Sequence, residues 1–184
     1  MFNARFWSLV AITLTAAAAR LLPHPPNFTP IGAMALFGGV YFVRKETAFI
    51  VPLTAMFLSD LVLGMTLYRH AIWKPMPFVY ISFALTVLLG RIIRSNPNPS
   101  RIAAATLAAS LLFFVIANFG AWVSWSFYPK TMGGLISCYI AAIPFARNML
   151  AANVFYTAVL FGGFSLAERA FHVLREQPML AKVD

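Results

Sequence analysis

Residues 20–39 read RLLPHPPNFTPIGAMALFGG, in which Pro23, Pro25, Pro26, His24 and Asn27 interrupt otherwise unbroken apolar sequence. Thr29 suits a helix N-cap and Pro30 a first helical position, so a second helix is expected from about Pro30 to Val43. The prolines before it fix φ and restrict the residues that precede them, which holds His24 and Asn27 in few orientations, as a binding loop requires. A stiff connector between two membrane helices would use the same residues.

The composition around this stretch is 61% hydrophobic, 15% aromatic and 10% charged, far from the balance of a soluble domain. An all-α integral membrane bundle follows, and 184 residues leave room for a single transmembrane domain of about six spanning helices. The formal charge of +9 does not form a contiguous basic patch; its Lys and Arg residues sit between apolar runs, as topology signals do. The lipid bilayer, not nucleic acid, is the expected partner. One cysteine, Cys138, excludes an internal disulfide and a cysteine-based metal cluster.

The first apolar run covers residues 6–22. Arg5, a short apolar core and Ala16 to Ala19 imitate a cleaved signal peptide, but a Pro-rich loop and a second hydrophobic helix follow at once, which favours a retained helix. Ala11, Thr15 and Ala19 form a small-residue stripe along it. Further helices are expected from about Thr47 to Leu67, Phe78 to Ile93, Pro99 to Ser126 and Phe145 to Leu166. Residues 127–144 are expected to be a partly buried surface or re-entrant piece, too short to span. Counting Lys and Arg, the terminal side carries Arg5, Arg44, Lys45, Arg91, Arg94, Arg101, Arg169, Arg175 and Lys182. The opposite side carries Arg20, Arg69, Lys74, Lys130 and Arg147. Both termini are therefore expected in the cytoplasm, with the chain in the cytoplasmic (inner) membrane.

That topology sends HPPNFTP, YRHAIWKPMP and WVSWSFYPKTMGG to the outer face. Asp60, Asn118 and Asn153 each lie about 7–8 residues inward from it, roughly 10–12 Å at helical rise. Polar groups at such depth are costly in lipid and imply either a wet pocket or a hydrogen-bonded glue between helices. The candidate substrate-binding residues are His24, Asn27, Asp60, Arg69, His70, Asn118, Trp122, Trp125, Asn148 and Asn153. Asp60 could meet a cation, a substrate hydroxyl or amine, or an internal donor. Asn118, Trp122 and Trp125 share one helix face, where the tryptophans serve either as stacking surfaces or as interfacial anchors. His24 and His70 lack the companions of a metal site, and neither a metal nor a cofactor is expected.

PIGA at Pro30 to Ala33, FLSDLVLG at Phe57 to Gly64 and the six short helices resemble the substrate-binding S components of energy-coupling factor (ECF) vitamin transporters. From about Ala16 to Gly163 the chain also resembles a family of small bacterial membrane proteins described only as transport proteins. The resemblance implies uptake of a small water-soluble metabolite, such as a vitamin, and partners in the form of a transmembrane scaffold and ATPases. In the vitamin transporters small residues on the first helix meet the scaffold and outer loops cap the site. Ala11, Thr15 and Ala19 match the first of these, with Thr15 in place of an alanine, and the three outer loops match the second. No phosphate-binding loop of the G-x-x-x-x-G-K-[ST] type is present, so ATP hydrolysis would belong to a partner. The chain is not expected to be an enzyme. The alternatives are a small membrane enzyme using Asp60, His24 and His70 as acid–base groups on a lipid or isoprenoid, and a structural membrane subunit.

Single cysteines near Asn98 and near Lys130, in a variant lacking Cys138, should be labelled from opposite sides of the membrane by an impermeant thiol reagent. Labelling of both from outside would refute the six-crossing topology.

Overall fold

The most apolar part of the opening stretch is also the most enclosed part of the protein. The computed structural model describes residues 3–65 and 74–176, and among these the secondary structure is entirely helical. Helix α1 runs Ala4–Ala19, α2 Ile31–Tyr41, α3 Lys45–Leu63, α4 Met76–Ile93, α5 Pro99–Ser124 and α6 Met132–Thr157. A π-turn at Ala158–Gly162 carries α6 into α7, Gly163–Ala170, and a 3-10 turn follows at His172–Leu174. By length and composition α3, α4, α5 and the continuous Met132–Ala170 rod can cross a membrane, while α1 and α2 are shorter apolar helices.

Every residue of α2 from Ala33 to Val40 is buried, because the helix is apolar on all sides and has no face to offer water. It packs against α1, α3, α4, α5 and α6. Phe37 stands edge-on to Phe161 and Phe164 at 5.4 and 5.6 Å between ring centroids. Against α4 the approach is closer still: a Cβ on Gly90 would lie 2.5 Å from the Leu36 carbonyl, and one on Gly39 would lie 2.9 Å from Gly90 Cα. Only paired glycines let these two backbones touch. At the C-terminal end of α2, Arg94 donates to the Val40 carbonyl, and Arg91 donates to those of Phe42 (2.7 Å) and Val43 (3.3 Å). Cations there suit both the orphan carbonyls and the helix dipole.

Two polar layers bound this apolar middle. Near the chain termini, buried Arg5 bonds Glu168 and the Leu174 carbonyl, lies 3.8 Å from Glu176 and sits over the Phe164 ring at 5.3 Å; Arg94 also pairs with Glu176. At the other end lie Arg20, Asp60, Tyr80 and Asn153. Along each helix the two layers are about fifteen residues apart, or ~22 Å at helical rise.

Three expectations need correction. Thr29 does not cap α2: the helix begins one residue later, with Pro30 at the N-cap and no side-chain cap bond. Residues 127–144 do not form a separate surface piece, because Thr131 caps α6 through Gly134 N–H at 3.2 Å and the helix runs straight on through Pro144 in sequence. Arg147 consequently lies within α6, not in a loop. Tyr139 donates to the Val115 carbonyl (2.7 Å) and Asn153 to Ser110 Oγ (2.9 Å), which ties α6 to α5 on both sides of Pro144, and residues 143–145 between them are exposed.

Gly39→Ala and Gly90→Ala should each lower stability by about 1–3 kcal/mol through overpacking. Gly163→Ala, whose Cβ would meet nothing within 4 Å, should be neutral. Melting of the purified variants in mild detergent measures both.

Candidate functional site

A cavity of about 680 Å³ lies under the Pro-rich loop at the end opposite the termini. Leu21, Leu22, Ile31, Leu63, Met76, Phe113 and Met149 make apolar walls, and Arg20, His24, Asn27, Thr29, Asp60 and Asn153 supply the polar groups. This size and balance are those of a small-molecule site. The loop reaches its shape through Asn27, the one residue other than glycine with positive φ among the described residues (60°), a conformation asparagine tolerates better than most.

The deepest polar group is an ion pair. Arg20 ends α1 and donates to Asp60 Oδ1 at 2.7 Å and to Ser59 Oγ at 2.5 Å; Tyr80 from α4 donates to Asp60 Oδ2 at 2.9 Å. The side chains of Arg20 and Asp60 are 9% and 1% exposed, so the pair is desolvated and joins α1, α3 and α4 at one point. Asp60 thus lines the cavity while both its oxygens are engaged. Asn153 presents its amide from α6. A Cβ on Gly32 would lie 2.5 Å from Asn153 Oδ1, so glycine at that position lets α6 approach the start of α2.

The remaining sequence candidates separate into groups. His24 lines the cavity, its ring nitrogens 3.0 Å from the Pro25 carbonyl and 3.2 Å from the Arg20 carbonyl. Asn148 stands behind the loop and ties it to α6 by donating to the Pro26 carbonyl at 3.0 Å. Asn118 does not join Asp60 and Asn153: its amide donates to the Phe114 carbonyl of its own helix at 2.7 Å. Trp122 and Trp125 belong to a second assembly, in which Trp122 donates to the Pro129 carbonyl (2.9 Å) and Lys130 binds the carbonyls of both tryptophans. Arg69 and His70 lie outside the described residues.

The sequence gives Arg20 a place in the topology count and in the positive charge of the outer face, but no partner. The available signal is its isolation: it is the lone cation closing the first apolar run, and Asp60 is the lone acid between Glu46 and Glu168. A buried carboxylate at that depth needs such a partner. Tyr80 and Ser59 carried no comparable signal, since each is an ordinary residue in an apolar helix.

A family model matches the chain over residues 1–177. The chain belongs to DUF6580, a family of unknown function. No curated protein and no solved structure matches it.

Asp60→Asn should destabilise the protein by about 3 kcal/mol, because it leaves a buried guanidinium without its counter-charge. The double substitution Arg20→Met/Asp60→Leu should recover most of that loss. Melting curves of the three proteins decide it, and wild-type stability of Asp60→Asn would show that the pair holds nothing together.

Proposed function

We propose that this protein is the substrate-binding component of an uptake system for a small water-soluble metabolite, a vitamin or related compound. In this reading six helices cross the cytoplasmic membrane with both termini inside, and the cavity faces out. The observation that carries it is the 680 Å³ cavity itself, apolar-walled and polar-floored, set about fifteen residues from the terminal ion-pair layer along each helix. A rigid Pro-rich loop over such a floor suits capture of a soluble molecule from the aqueous side.

The resemblance to ECF S components supports the same assignment and suggests the partners, a transmembrane scaffold with its ATPases. On α1, Ala11 and Thr15 are exposed and Ala19 is half-buried, which leaves small side chains at the bundle surface where another helix can come close. The enzyme alternative draws less support. Asp60 has both oxygens occupied by Arg20 and Tyr80, so it is not free to act as a general base on a lipid or isoprenoid.

Purification in mild detergent followed by mass spectrometry should reveal a co-purified metabolite. Re-adding it at about a hundredfold excess over its dissociation constant should stabilise the protein by ~2.7 kcal/mol. Met149→Trp, which fills cavity space, should abolish the shift without loss of expression. A shift that survives Met149→Trp, or a broad metabolite library with no hit, would count against the cavity as the binding site.

A further inference from the structure

We propose that the cavity takes a carboxylate-bearing ligand, whose anionic group docks on the N-terminus of α2 beside Arg20. The inference rests on the cavity's being a substrate site and adds the chemical class of the substrate.

The cavity holds hydrogen-bond donors without acceptors. The N-cap of α2 is Pro30, whose side chain cannot accept a bond, and the first helical bond runs from Met34 N–H to the Pro30 carbonyl at 2.8 Å. The N–H groups of Ile31, Gly32 and Ala33 precede that bond and have no intrahelical partner. Ile31 and Gly32 line the cavity, so the positive end of the central helix dipole faces it beside the Asn153 side chain. Helix α4 also starts there: Met76 lines the cavity, and its N-cap, Pro75, provides no side-chain bond either.

Independently, Arg20 is more than nine-tenths buried, lines the same cavity, and has a guanidinium Nε with no hydrogen-bond partner. A buried donor of this kind calls for an acceptor that the chain itself does not supply. Around it the carbonyls of Ala17, Ala18 and Ala19 receive N–H groups from Arg20, Leu21 and Leu22, and the two Asp60 oxygens accept from Arg20 Nη2 and Tyr80. A ligand carboxylate brings two acceptor oxygens to the α2 N–H groups and the Arg20 Nε, and charge-assisted bonds of this type are the stronger kind. The apolar walls then fit a ring or short chain behind the acid.

The test uses the full-length wild-type protein in mild detergent at neutral pH. Its melting temperature is followed against matched probes that differ only at the acid: nicotinate with nicotinamide, indole-3-acetate with indole-3-acetamide, and biotin with biotinamide. At least one acid should raise the melting temperature, with its amide binding about tenfold more weakly or worse. Arg20→Gln would break the ion pair as well as the site. Arg20→Lys is therefore the informative variant, since lysine keeps a cation beside Asp60 and has no counterpart of the guanidinium Nε. It should weaken the acid severalfold more than the amide. Amides that bind as well as their acids, or an acid-to-amide preference indifferent to Arg20→Lys, would overturn the carboxylate assignment while leaving a ligand cavity intact. Silence from every acid and every amide would overturn the carboxylate assignment, and failure of the broad metabolite screen would separately remove the substrate reading.

Discussion

An eleven-residue helix that is apolar on every side is stable in only one kind of place, the middle of other helices. Much of the bundle follows from that constraint. Five helices surround α2, glycines on α2 and α4 bring two backbones into contact, and the aromatic rings of Phe37, Phe161 and Phe164 lock the rod of α6 and α7 against it. Enclosure creates a second demand, since the ends of a buried helix carry polar groups that need partners. The C-terminal end receives Arg91 and Arg94. The N-terminal end has no side-chain cap and opens instead on the cavity.

The two ends of the molecule therefore differ in kind. At the terminal end Arg5, Glu168, Glu176 and Arg94 close on one another, and the 3-10 turn at His172–Leu174 packs over α1. At the loop end the Arg20–Asp60 pair fastens three helices but stands at the edge of open space. The ~22 Å between these layers is less than the ~30 Å of a typical hydrocarbon core. The short helices α1 and α2 set that spacing. The longer α5 and α6 rise past it on the loop side, which recesses the cavity between taller walls.

Pro144 stands inside α6 without ending it. In a soluble protein a proline with a basic residue three positions later often marks a helix boundary, but neighbouring helices in a membrane bundle re-satisfy the backbone and let the helix continue.

The sequence by itself determined the all-helical class, the positions of most helices within a few residues, and the central role of residues 20–39. Hydrophobic periodicity, proline placement and capping residues are local properties, legible along one dimension. Asp60 and Asn153 could be singled out as polar groups at a depth where lipid-exposed chain cannot carry them, and His24 and Asn27 by the prolines that hold them in few orientations. Tertiary structure alone decided which of them meet. Asp60 found Arg20 forty residues away, Asn118 turned back to its own helix, and Trp122 and Trp125 went to the loop at Pro129 and Lys130. It also decided that the start of α2 lies uncapped on a cavity, because packing of whole helices, not the identity of Thr29 or Pro30, determines which backbone donors are left without acceptors.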